Sequence, residues 1–422
     1  MASRMLSRSA SSASVPLDAS STKEAPALDA ATAEKTVQIM AACHDRRLSS
    51  LADLATSTRG LVSDTLRRTA WPILLGCADG SSGDPKSHPP WGTLAPHRDE
   101  EQVAKDVNRA FVHYPRESDR QLDKRREELS SVIVEVLRRH PALCYFQGYH
   151  DIVQVLYLVL GAQDAAPAVT RLSLLRIRDY MLPTLEPALR HLELLPAIIR
   201  AEDPILYDHL PTIQPNYALG ATLTLFSHVI ESYGDITRLF DFFLATDTVI
   251  PVYLFAVMVM SRRDELMELD KDEDEAIFHV TLGKLPQPFD LEARIAQTLK
   301  LYEKLPPQSL RWPWWKISAS SALKATSTPL SVSSTSLDVA QALFQKQERE
   351  VQLKMAYEKM VFTMRRFKLH AYRYRRPGTY GLAIAVGVYA LWVGRNGNMN
   401  YGRFMTIGAF SDALRSFFNF FV

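Results

Sequence analysis

The apolar positions of this chain recur at helical spacing almost throughout. In residues 99–111, DEEQVAKDVNRAF, the positions Val103, Val107, Ala110 and Phe111 share one face, which predicts a helix. Asp99 stands where it can cap that helix, with Gln102 placed to reach back in a capping box. Asp106 and Arg109 lie one turn apart on a common face and can pair. A second helix is predicted over roughly Asp119 to Arg139 from the stripe Leu129, Val132, Ile133, Val136 and Leu137, stopping before Pro141. The connector PALCYFQG then feeds YHDIVQVLYLVLG, which is apolar on nearly every side and reads as a buried helix. Gln147 and Gly148 fall at its entrance, where free backbone N–H groups favour an anion. Gly148 leaves room for a ligand or partner to come close.

No part of 31–311 shows sustained period-two alternation, so the expected fold is all-α, with breaks at prolines such as Pro167, Pro183, Pro204 and Pro215. Helices are expected through EKTVQIMAACHD and LADLA up to Trp71-Pro72, followed by a long surface loop over 77–96. Leu239 to Met260 is apolar enough to imitate a membrane span. Asp241, Asp247 and Pro251 interrupt it, and two packed core helices are the better account.

The ends differ in character. Residues 1–30 are rich in Ser and Ala and faintly like a transit peptide, but Pro16, Asp18, Glu24 and Pro26 break any amphipathic pattern, so a disordered leader is expected. Residues 317–337 collapse to Ser, Thr and Ala and read as a flexible tether. A polar helix and the basic segment KLHAYRYRR follow, over 338–376. Residues 379–394 carry no charge, and a basic cluster before an apolar run predicts a transmembrane helix, hence the lipid bilayer as a partner. The tail 395–422 reads as an amphipathic interfacial helix, either on the far leaflet or returning as a hairpin.

Composition narrows the chemistry. A net charge of +2 over 422 residues argues against a nucleic-acid partner. Cys43, Cys77 and Cys144 lack metal-site spacing, and Cys144 has no identifiable base, so an inert thiol is expected. Asp270-x-Asp272-x-Asp274 begins like a calcium loop but has Glu275 where glycine is needed and Thr281 where the bidentate glutamate belongs. His150-Asp151 reads as a polar helix start, since no further ligand cluster accompanies it. The chain lacks the G-x-x-x-x-G-K-[ST] loop of a nucleotide hydrolase.

Taken singly, Arg109 and Gln147 are ordinary surface residues; their order and surroundings make them informative. Val103-x-x-Asp106-x-x-Arg109 followed by Tyr145-x-Gln147-Gly148 resembles the IxxDxxR and YxQG motifs of the TBC-domain family, GTPase-activating proteins for Rab GTPases. LRRTAWPILLG at 66–76 is similar to the family's opening helix, and 215–260 to its later helical core. The resemblance covers roughly Leu48 to Arg311, within a domain drawn at 31–316. Val103 replaces Ile, Ala110 stands where Thr or Ser is common, and a Trp usual near 217–226 is missing.

The resemblance implies that two fingers enter the active site of a Rab in its GTP-bound state. Arg109 would neutralise charge between the β- and γ-phosphates, and Gln147 would orient the attacking water. Asp106 would hold the Arg109 helix and Tyr145 would shape the Gln147 loop. The chain would need no cofactor of its own, because GTP and Mg²⁺ arrive with the Rab. It would be a GTPase activator, not itself an enzyme that hydrolyses nucleotide. With GYHDIVQV, FDFFLA and a C-terminal anchor, it looks like the endoplasmic-reticulum-anchored subgroup acting in early secretory, ER-to-Golgi traffic. The alternative is a catalytically silent, membrane-tethered Rab-binding scaffold.

Overall fold

The computed structural model describes residues 30–77, 89–270 and 275–395. The expected leader up to residue 29, the middle of the 77–96 loop, residues 271–274 of the acidic turn and the tail after 395 lie outside them. Every regular element among the described residues is helical. In chain order these are α1 (Ala30–His44), α2 (Leu48–Thr56), α3 (Asp64–Leu75), α4 (Glu100–Val107), α5 (Asp119–Arg139), α6 (Tyr149–Leu160) and α7 (Ala162–Leu175). Next come α8 (Glu186–Leu192), α9 (Leu194–Glu202), α10 (Pro204–His209), α11 (Leu219–Leu223), α12 (Tyr233–Ala245) and α13 (Ile250–Met260). The series closes with α14 (Arg263–Glu268), α15 (Glu275–Gly283), α16 (Leu291–Lys304), α17 (Trp312–Lys316), α18 (Ala322–Ala325), α19 (Pro329–Ser334) and α20 (Leu337–Arg395).

The apolar runs become the core as their periodicity requires. Helix α5 buries its predicted stripe, and α6 buries all but two of its twelve residues. The would-be span 239–260 divides into α12 and α13, with Pro251 in the first turn of α13, where its missing N–H costs nothing. Asp241 is wholly buried. It accepts from Arg67 Nη2 at 2.9 Å, Trp71 Nε1 at 2.8 Å and the Leu61 amide at 2.9 Å, so one carboxylate ties α3 to α12.

Two C-terminal expectations change. Residues 317–337 are folded, not a free tether: Leu323, Thr326 and Val332 are buried, and α19 packs on α3. Arg171 donates to the carbonyls of Val332 at 2.7 Å and Thr335 at 2.9 Å, giving a polar segment the donors it needs to be buried.

The second change concerns residues 379–394, which continue α20, while no helix among the described residues is long and apolar enough to cross a membrane. A charge-free run of 16 residues rises about 24 Å, short of a hydrocarbon core of ~30 Å. The predicted transmembrane anchor is therefore not supported, and the endoplasmic-reticulum placement loses that footing. The chain divides into two compact units, 1–349 and 350–422, and the first contains Arg109 and Gln147.

Candidate functional site

Helix α4 ends at Val107, one turn sooner than its apolar spacing suggests. Phe111 takes a left-handed backbone (φ +65°), its amide donates to Gln154 Oε1 at 2.9 Å, and its ring packs edge-on to Tyr157. That long-range hold turns the chain out of the helix. Arg109 thus sits on a tight bend, its amide donating to the Asp106 carbonyl at 3.0 Å and its side chain 66% exposed.

Asp106 is the centre of the site. Its carboxylate has no exposed surface, yet it accepts from Arg109 Nη2 at 2.5 Å, Gln102 Nε2 at 3.1 Å and the Tyr145 hydroxyl at 3.0 Å. Burial alone would raise its pKa; the three hydrogen bonds outweigh burial and hold the carboxyl below its usual range. Burial, reinforced by the Asp106 charge, pushes the Tyr145 phenol far up, so it remains a donor. One buried anion therefore fastens the Arg109 bend to the loop that carries Gln147.

Gln147 is exposed, between buried Phe146 and buried Gly148. Gly148 caps α6 in the left-handed region (φ +97°), and a Cβ there would lie 2.6 Å from the Thr224 methyl. The room expected beside Gly148 for a ligand is filled by the chain itself. Two amides at the mouth of α6 are also taken: Tyr149 N–H bonds the Phe146 carbonyl and Asp151 N–H the Gly148 carbonyl, each at 3.1 Å. The helix entrance is a rigid mount for Gln147, not an open anion cradle.

Sequence reasoning placed Arg109, Asp106, Tyr145, Gln147 and Gly148, which the fold brings to one place. It missed the supports. Asp99 makes no capping bond; its Oδ2 accepts the Tyr145 amide at 2.9 Å, so Tyr145 is tied to α4 by its backbone as well as by its hydroxyl. Gln102 bonds Asp106 instead of the helix start. The His150-Asp151 helix start belongs to the same network: His150 Nδ1 is 3.2 Å from the Tyr145 hydroxyl, and Asp151 Oδ2 is 3.0 Å from His228 Nδ1. Cys144 takes a hydrogen bond from Arg98 at 2.8 Å, and burial, only partly offset by that arginine, raises its thiol pKa. It is a poor nucleophile.

Residues 64–267, from the start of α3 to the end of α14, match the sequence profile of the Rab-GTPase-TBC domain. Human TBC1 domain family member 20 is 35% identical over 266 residues, 62% of this chain and 65% of that protein. The matched region thus spans just under two thirds of that relative. The GTPase-activating protein gyp10 of Schizosaccharomyces pombe is 32% identical over 67% of this chain and 76% of its own length. Among solved structures, the Ypt/Rab-GAP domain of Gyp1p superposes with a TM-score of 0.47 over 61% of this chain and 93% of that one, at 14% identity. The family assignment stands on the sequence relatives. On their coverage and identity, the chain belongs to the TBC-domain family of Rab GTPase-activating proteins.

Proposed function

We propose that this protein accelerates GTP hydrolysis by a Rab GTPase in its GTP-bound state, with Arg109 and Gln147 supplied in trans. The observation that carries this is the Asp106 carboxylate, which bonds both Arg109 and Tyr145. It joins two loops distant in sequence, while both candidate fingers remain at the surface. Arginine suits the task because its planar, permanently charged fork matches phosphoryl oxygens. Glutamine suits its own because one amide can donate to phosphate and accept from the attacking water. Because Asp106 and the α6 cap already hold both loops, little ordering remains to be done when the partner docks. Nucleotide and Mg²⁺ belong to the GTPase, and Asp106 and Tyr145 only position the fingers.

The test is single-turnover GTP hydrolysis by a panel of purified, GTP-loaded Rabs with and without the full chain, beginning with Rabs of early secretory traffic. At least one Rab should be accelerated by orders of magnitude. A protein that binds GTP-loaded Rabs and accelerates none would be the silent scaffold.

A further inference from the structure

We infer that residues 317–349, which lie beyond the region matched to the family, brace the Gln147 loop, and that Gln347 is a positioning residue for hydrolysis. The inference rests on the activity proposed above. Its centre is the turn Arg178–Met181, whose first two residues are almost fully buried. One side of this turn is gripped by the C-terminal stretch. The Arg178 guanidinium donates to the Ser320 carbonyl at 2.7 and 2.9 Å and to Thr326 Oγ1 at 2.7 Å. Asp179 accepts from the Ala322 amide at 2.8 Å and from Gln347 Nε2 at 2.7 Å, with His191 Nε2 at 3.2 Å.

The other side of the same turn holds the Gln147 loop. The Met181 carbonyl accepts the Cys144 amide at 2.9 Å. The Tyr180 ring meets Phe146 edge-on, with centroids 6.0 Å apart. Cys144 and Phe146 flank Tyr145, and Phe146 directly precedes Gln147. Movement of this turn is therefore movement of the amide.

Gln347 contributes little that would explain it as packing. It is buried, and its Oε1 has no hydrogen-bond partner among the described residues, a cost that an apolar side chain would avoid. Its amide donor satisfies Asp179, a carboxylate that has no access to water to replace it. A misplacement near 1 Å in such a support can reduce a rate about 10²-fold.

The experiment uses the full chain and a Rab that the wild-type protein accelerates. Gln347→Met keeps the volume and removes both the donor and the unpaired oxygen, so folding should be retained. Ala322→Pro is an independent variant that deletes the second donor to Asp179; because Ala322 is fully buried, the variant's melting curve is recorded alongside, and Gln347→Met decides the matter if the proline variant does not fold. Each should lower kcat about tenfold with KM changed less than about twofold. In a Gln147→Ala background neither should lower the residual rate further. Unchanged kcat in a folded variant, or the same loss in the Gln147→Ala background, overturns the brace. If the wild-type chain accelerates no Rab, the functional reading itself falls and the brace with it, a result separable from the other two.

Discussion

Asp106 and Asp241 are both carboxylates with no exposed surface, both on helices, and both met by an arginine. Around Asp241 every donor is interior: the Arg67 side chain is 8% exposed, and Trp71 is wholly buried. Around Asp106 the arginine points outward, with 66% of its side chain in solvent. The first arrangement spends its hydrogen bonds on joining α3 to α12. The second holds its arginine at the surface, where the function proposed above would have it meet the partner. Burial of the acid is common to both; exposure of the base separates a fastening from a tool.

That contrast predicts opposite consequences for the two arginines. Arg109→Ala should reduce stimulated hydrolysis by roughly 10³–10⁵-fold while thermal melting stays close to wild type. Arg109→Lys should also lose most activity, because charge remains without the fork. Arg67→Ala should do the reverse, costing about 3–5 kcal/mol of stability by leaving Asp241 unpaired, with activity per folded molecule retained. Denaturant unfolding and hydrolysis assays on the same preparations decide it. An unstable Arg109→Ala protein, or a stable Arg67→Ala protein, breaks the distinction.

Gln147→Ala should follow in size, at about 10²–10³-fold. A Rab stripped of its own catalytic glutamine should still respond to the wild-type chain. Loss of that response would show that no amide is supplied in trans.

Asp106→Asn is expected to be milder. It keeps an acceptor for Tyr145 and weakens the hold on Arg109, which should lower kcat about tenfold, the scale of one weakened charge-assisted hydrogen bond. Asp241→Asn should instead lower the melting temperature and spare kcat. Equal effects of the two substitutions on kcat would erase the difference between the carboxylates.

The smallest effect concerns the rim. The hydrogen bond that His228 donates to the Asp151 carboxylate raises the pKa of the imidazole against partial burial. A raised folded value means the pair's contribution to stability is full below the unfolded value of about 6.5 and fades as pH rises through the folded one. Because the His228 side chain is largely exposed, the pair should contribute little. His228→Gln should flatten that slight slope in stability measured between mildly acid and neutral pH.

Patterns that depend on neighbours along one helix were legible in the sequence. The bounds of α5, the burial of α6, the Asp106–Arg109 pair and the division of 239–260 all follow from spacing and from the position of one proline. What was not legible depends on partners far away. Helix α4 stops early because Gln154 captures the Phe111 amide, and no periodicity records a bond across 43 positions. Asp99 was assigned to its own helix because a cap is the nearest use for an aspartate, whereas the fold offers it Tyr145. The Ser- and Thr-rich stretch 317–337 looked unable to fold by itself, and that is physically sound. Its carbonyls can be buried because Arg171, Arg178 and Thr248 reach them from inside the domain.

The left-handed turn at Gly148 carries a genetic consequence. Gly148→Ala sets a methyl against Thr224 and forces a side chain into a backbone region that L-residues avoid. The peptide bearing Gln147 must shift, while Tyr145 stays held by Asp106 and Asp99. On the activity proposed above, such an allele should be a loss-of-function allele that still yields folded protein, which hydrolysis and melting measurements on the purified variant would check.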